Sequence, residues 1–367
     1  MPKVAVVYLA RAAHGIDAFV PFASSYKKFN AGYDHELILL GKGMSKKWQH
    51  SATSALFNPF PHRIIKISEK GFDIHAYLRV AKMLDHDYIC FFNTYSELTS
   101  NKWLEKMMHW GIKPEVGIVG TSASYQSLHD LGKLVHKLNW LISFKNVKLD
   151  RETTNQFSFI LNAKVSEESL NWRKKTIHSI YLRFIQMVKN ILKPRVKYST
   201  ALDHEFDLWW EKQTAPGDPL AYYTAFPSFP NPHIRSNGFL ISRKLLLSFD
   251  YNLENTKIAC SHFESGPQSI SKKIQQKNLK LILTGADGAA YGVENWAKSS
   301  TFRSGNQENL LVYDNHSREF FNFDKTTKEQ YQRMTWGENC ETISPHYHKA
   351  NGSLESEYNE IKYLSQN

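Results

Sequence analysis

The chain has 367 residues, 42% of them hydrophobic and 13% aromatic, and carries a formal charge of +11. That is ample apolar material for a packed core and excludes wholesale disorder, while no run of 18 uncharged apolar residues offers a membrane span. Three cysteines, Cys90, Cys260 and Cys340, stand far apart without CxxC spacing, which argues against a disulfide framework or a thiolate metal site and for a reducing, cytoplasmic setting.

The apolar part of residues 1–9 is too short for a signal peptide and reads as a first strand. Residues 16–29 carry Phe19, Phe22 and Tyr26 at helical spacing. Strands follow at 35–40, closed by Gly41 and Gly43, and at 63–67. Residues 74–84 form a helix, 88–92 a continuous apolar run of buried-strand length, 103–110 a helix and 115–120 a strand. This alternation predicts an α/β, Rossmann-like, mostly parallel sheet flanked by helices. The pattern changes over 128–230, where 134–144 and 170–192 read as helices and 222–232 as a Pro-rich aromatic loop. Strand character returns at 233–243, with a helix at 244–249, a helix over 267–277 that Phe263, Glu264, Ser265 and Gly266 open, and a strand at 279–284. Residues 285–288 are a turn, 296–315 a polar excursion, and the tail after 322 is polar. The expected organisation is 1–127 and 231–318 as two halves of one domain, 128–230 as a helical, basic insertion, and 319–367 as a tail.

The 88–92 run stops abruptly at Asn93, Thr94, Tyr95, Ser96 and Glu97. A buried parallel strand delivers such side chains to the crevice beyond the carboxyl ends of the sheet, where open α/β folds bind ligands. The competing reading makes Thr94 or Ser96 a helix cap, with Glu97 already inside that helix. Asp73 can accept hydrogen bonds from a ribose or base edge, or can cap the helix that follows. Glu264 is the general-base candidate, with burial and aromatic neighbours expected to raise its pKa toward working pH. Its alternative is a charge placed at a helix N-terminus by the macrodipole. Asp287 reads most simply as a turn residue. There is no HExxH, GxSxG, Walker loop or GxGxxG.

The net charge calls for an anionic partner. Residues 171–197 hold eight basic residues and no acid on an amphipathic pattern, suited to an anionic membrane surface or to a packed helix with a solvated basic face. No nucleic-acid motif accompanies the charge, and nucleic acid is not expected as a partner.

The ordered blocks are 4–9, Ser25-Tyr26, 32–37, 71–77, 88–96, 235–243, 263–266 and 285–288, then Trp296, Thr301-Phe302, 307–312 and Asp314-Asn315. In this order the chain resembles bacterial glycosyltransferases of the GT-A fold, of the family-2-like kind that assemble cell-surface polysaccharide such as lipopolysaccharide in the cell envelope. The segment 130–230 lies outside the resemblance. The likeness implies a UDP-, GDP- or dTDP-sugar donor, a glycan or lipid-linked acceptor, and a cytoplasmic protein peripheral to the inner face of the membrane. It implies that Asp73 meets the nucleoside and that Asn93, Thr94, Tyr95 and Ser96 stand where the family places its Asp-x-Asp metal and diphosphate motif. Arg235 and Asn237 join the donor site. Arg243, Asp287, Trp296 and Arg303 fall on the acceptor side or near the diphosphate, and Glu264 takes the acceptor proton in an inverting transfer. Both expected carboxylates are missing at Asn93 and Tyr95. No metal ligand is therefore assigned, and Mg²⁺ or Mn²⁺ lacks the acid pair that would support it. The same departure motivates an alternative, a catalytically inactive GT-A-like protein that binds glycan or nucleotide.

Overall fold

The computed structural model describes residues 1–44, 47–147, 199–218, 220–251 and 256–337. They fall into two units, one of Met1–Gln126 with Pro230–Phe323, the other of Ser127–Phe229 with the chain from Asp324 onward.

The strands of the first unit are β1 Val4–Arg11, β2 Glu36–Lys42, β3 His62–Ile67, β4 Tyr88–Phe92, β5 Glu97–Leu98, β6 Val116–Gly120, β7 Ala123–Ser124, β8 His233–Ile234, β9 Phe239–Ser242, β10 Lys280–Thr284, β11 Ala290–Tyr291 and β12 Val312–Tyr313. Its helices are α1 Val20–Lys28, α2 Lys47–Phe57, α3 Asp73–Met83, α4 Trp103–Gly111, α8 Arg243–Leu247, α9 Lys257–Ser265, α10 Ile270–Gln276 and α11 Asn315–Asn322. The second unit contributes α5 Leu128–Ser143, α6 Thr200–Gln213, α7 Ala221–Thr224 and α12 Lys325–Trp336.

Eight strands form one sheet in the order β11-β10-β6-β9-β4-β1-β2-β3. β1, β2, β3 and β4 run parallel, as do β6 and β10, while β9 runs antiparallel between β4 and β6. This is the expected α/β, mostly parallel sheet flanked by helices, with the antiparallel β9 inserted between β4 and β6. Its inner strands β1, β4 and β9 are apolar along nearly their whole length because both faces are covered, whereas the edge strand β3 is only partly buried. On one face Val4, Val6, Tyr8, Cys90 and Phe92 pack with Phe22 of α1 and Trp103 and Met107 of α4. Tyr8 stacks on Phe22 with centroids 4.0 Å apart. Phe91 points the other way, 4.7 Å from Tyr77 of α3 and 5.0 Å from Phe239, as the two-residue period of a strand requires.

Register carries the chain to the crevice. Phe91 pairs with Phe239 across β4 and β9, so Asn93 emerges beside the 235–238 turn that enters β9. Gly238 makes that turn at φ 64°, and a Cβ there would lie 2.2 Å from Thr121 Oγ1. Only glycine combines that conformation with that approach.

In the second unit α5 begins at Leu128 because Ser127 caps it, accepting from the Asp130 amide. α5 and α6 join through Trp140 against Phe206 at 5.7 Å and Lys133 on Asp207 at 2.9 Å. Gly132 lets Tyr223 of α7 approach, since a Cβ would meet its ring at 2.4 Å. The helices at 47–57, 200–213 and 325–336 were not anticipated. The basic stretch 171–197 and the helix expected at 170–192 lie outside the described residues. Among the described residues no helix is long and apolar enough to cross a membrane.

Candidate functional site

The polar loop after β4 is tied down at every residue. Thr94 Oγ1 donates to the Leu9 carbonyl at 2.8 Å, and the Tyr8 hydroxyl donates to the Thr94 carbonyl at 2.7 Å. Asn93 Oδ1 accepts from the Tyr95 amide at 3.0 Å and from Ser96 Oγ at 3.2 Å, an Asx turn. Ser96 Oγ also reaches Asn237 Oδ1 at 2.7 Å. Neither Thr94 nor Ser96 caps a helix. Glu97 is not in a helix either: it lies in β5, pairs with β12, and holds Arg318 at 2.8 Å. Arg318 also donates to the Tyr95 carbonyl at 3.0 Å.

Asn237 joins this loop to the rest of the site. Its Oδ1 accepts from the Asn93 amide at 2.9 Å. One residue earlier, the Ser236 amide donates to Glu264 Oε2 at 2.8 Å. The 235–238 turn therefore grips the candidate donor loop on one side and the candidate base on the other.

Glu264 occupies the last turn of α9, whose start is capped by Thr256 accepting from the Ala259 amide at 3.1 Å. This corrects the expectation of a helix opening at Phe263. A carboxylate at a helix C-terminus is opposed by the macrodipole, so helix electrostatics do not explain its presence. The pKa expectation also reverses. Burial pushes the Glu264 carboxyl up, but His233, Arg235 and the hydrogen bonds of Ser236 outweigh it and leave it below the ordinary value. His233 is itself buried and pushed down by that burial, with Glu264 opposing.

Arg235 is fixed by Asp314 at 3.1 Å and lies over the Phe302 ring at 3.8 Å. Asp314 is buried and caps α11 through the Ser317 amide at 2.8 Å. Burial raises its carboxyl, yet Arg235, His316 and Ser317 bring it down to about 2. Arg303, buried at φ 52°, shares the Phe302 ring at 4.8 Å.

Asp73 stands in the first turn of α3. It does not cap the helix, whose N-cap position is Phe72 with its amide on His75 Nδ1 at 3.2 Å. Around it lie residues that sequence reasoning did not single out. Arg11 ends β1 and pairs with Glu69 at 2.6 Å. Lys42 ends β2, is 1% exposed, and donates to the Gly71 carbonyl. His14 meets the Tyr95 hydroxyl at 2.8 Å. Burial, and then Arg11, lower both Lys42 and His14. The signal for Lys42 was present in sequence: a lysine between two glycines at the end of a buried strand.

Three candidates are not brought to the crevice floor. Arg243 opens α8 at the opposite end of β4, with its amide on the Asp87 carbonyl and Nε on the Ala81 carbonyl, at 2.9 and 2.8 Å. Asp287 accepts from the Ala289 amide at 3.0 Å and the Tyr291 hydroxyl at 2.7 Å, stabilising its own turn. Trp296 is buried, donating to the Tyr291 carbonyl at 3.0 Å.

The residues at 93–97, where the resemblance implied a metal motif, do not fit a divalent cation. The Asn93 oxygen is committed to its own loop, Glu97 is paired with Arg318, and among the described residues no three His, Cys, Asp or Glu side chains converge on a metal site. Hard cations need converging oxygen ligands.

Sequence comparison finds no matching protein family and no matching characterised protein. Among solved structures, a partial similarity is to the mannosyltransferase PcManGT from Pyrobaculum calidifontis, in complex with GDP-Man and Mn²⁺. The TM-score is 0.28 at 14% identity, over 32% of this chain and 35% of that one.

Proposed function

We propose that the chain is a glycosyltransferase that moves a sugar from a nucleotide-sugar to a hydroxyl of a glycan or lipid-linked glycan. One observation carries this reading: a single turn, 235–238, holds Glu264 through Ser236 and the loop after β4 through Asn237. A base and a ligand-facing loop locked to one another on rigid elements is what positioned acid–base chemistry needs.

In the proposed step the acceptor oxygen attacks the anomeric carbon as the bond to the nucleoside diphosphate breaks. The hydroxyl proton passes to Glu264, and the electron pair of the broken bond leaves with the diphosphate. Its lowered pKa leaves Glu264 ionised at neutral pH, the form that accepts a proton, and makes it a weaker base than an ordinary carboxylate. A single base on the side of the sugar opposite the leaving group favours inversion. Asp73, with Arg11 and Lys42 nearby, is assigned to the nucleoside side, and Arg235 to the developing diphosphate charge. Surface polysaccharide assembly, and contact of 171–197 with an anionic membrane face, complete the proposal.

A second reading, a GT-A-like binding protein without turnover, is favoured by the missing acid pair at Asn93 and Tyr95. A thermal-shift screen of nucleoside diphosphates and nucleotide-sugars, followed by donor hydrolysis and transfer assays on the hits, separates the two. Binding with turnover supports the enzyme, nucleotide binding without either reaction supports the second reading, and no nucleotide binding refutes the enzyme.

A further inference from the structure

At the other end of the sheet, where β2 and β3 begin, the surface sinks into a basin of about 600 Å³. The half-buried rings of Tyr26, Phe29, Tyr33 and Phe60 line it, with the exposed side chains of Asn30 and Asp34 among them. Pockets of this size that combine aromatic walls with a few polar groups are typical small-ligand sites.

The basin is built rather than incidental. Asn30 Oδ1 accepts from the Gly32 amide at 2.7 Å, and the Asn30 amide donates to Asn101 Oδ1 at 2.9 Å. The Asn30 carbonyl accepts from Lys102 at 2.6 Å, and the Ala31 carbonyl accepts from Leu104 and Glu105 at 3.1 and 3.0 Å. The loop is thus pinned to the start of α4. Behind it, His35 Nδ1 donates to the Tyr33 carbonyl at 2.8 Å, which leaves Nε2 to accept from the Tyr26 hydroxyl at 2.7 Å. The loop backbone and the Tyr26 ring are fixed before any ligand arrives, which lowers the ordering cost of binding.

The chemistry selects the ligand. Half-exposed ring faces beside an amide and a carboxylate suit a molecule with one apolar face and a hydroxylated edge. Tyr26 and Phe60 pack edge to face at 4.9 Å, so their ring faces do not stand as opposed walls of a cage for a quaternary ammonium. We propose that this basin binds a pyranose unit of an oligosaccharide, its C–H face on Phe29 and Tyr33 and its hydroxyls toward Asn30 and Asp34. The seven-residue β2 separates it from the crevice by about 20 Å. It is a tethering site for glycan, not part of the reaction. The choice of a sugar rests on the glycosyltransferase reading; the existence of the site does not.

Isothermal titration with gluco-, galacto- and manno-tetraoses on the full chain tests this, using wild type, Phe29→Ala, Tyr33→Ala and Asp34→Asn. The account expects saturable binding of at least one sugar, weakened about tenfold by loss of either ring, with nucleoside diphosphate affinity unchanged. Absence of saturable binding by all three sugars, binding that both ring variants leave intact, or preference for tetramethylammonium over every sugar would overturn it. The readout is binding alone, so failure here is distinct from failure of nucleotide-sugar turnover.

Discussion

Asn237 holds Asn93 across 144 residues of sequence: its side-chain oxygen accepts the Asn93 amide at 2.9 Å while also accepting from Ser96 at 2.7 Å. Asn237 is 4% exposed, so water cannot replace it. Asn237→Leu should leave the Asn93 amide unsatisfied and destabilise the protein by about 1–3 kcal/mol in urea unfolding. Nucleotide affinity should fall with it, because the loop loses its anchor. Unchanged stability and affinity would show that the turn does not organise the loop.

The Arg235–Asp314 pair predicts an acid limb. The Asp314 carboxyl sits at about 2 when folded, against about 3.9 unfolded. Its contribution is complete above the unfolded value and is lost as pH falls from about 4 toward 2. Asp314→Asn keeps the helix cap but strands Arg235, costing about 3 kcal/mol at neutral pH. Unfolding midpoints between pH 2 and 7 should show the limb in wild type and a shallower one in the variant.

The second unit carries its own pH signature. His136 lies 5.7 Å from the rings of both Trp210 and Tyr223, and burial lowers its pKa to about 4. The unfolded chain therefore takes up that proton first, near pH 6.5. Stability from this residue is complete above about 6.5 and is lost as pH falls from there toward 4. His136→Phe should flatten this window when urea midpoints at pH 7 and pH 5 are compared.

The sheet was legible because buried strands announce themselves: β4 is five apolar residues ended by Asn93, and strand character was read over 233–243, which the structure divides into β8, the 235–238 turn and β9. The two-residue β5 was not, since a strand that short has no periodicity, and Glu97 was assigned to a helix. Glu264 was read as opening the helix expected over 267–277. Thr256, eight residues upstream of Glu264, is the cap that decides otherwise. Asn237 sits in a recognised block, but its grip on Asn93 depends on strand register, which no local pattern encodes. Arg11 and Glu69 likewise meet only because β1, β2 and β3 are neighbours.

The loop at Asn93 predicts insensitivity to chelation. Neither Asn93 nor Glu97 offers a free oxygen pair for a cation. Nucleotide-sugar affinity measured in EDTA should match that in Mg²⁺ or Mn²⁺ within about twofold, well under the tenfold that 1.4 kcal/mol represents. Loss in EDTA restored by either metal would contradict the geometry described for this loop.

The central claim is that Glu264 is a base and not a structural charge, and Glu264→Gln tests it most directly. Glutamine keeps the acceptor that the Ser236 amide needs but cannot take a proton from the sugar acceptor. With a donor and acceptor pair on which wild type turns over, the account predicts retained donor affinity and a transfer rate lower by about 10² to 10⁴-fold. Near-wild-type transfer by a folded Glu264→Gln protein would contradict it.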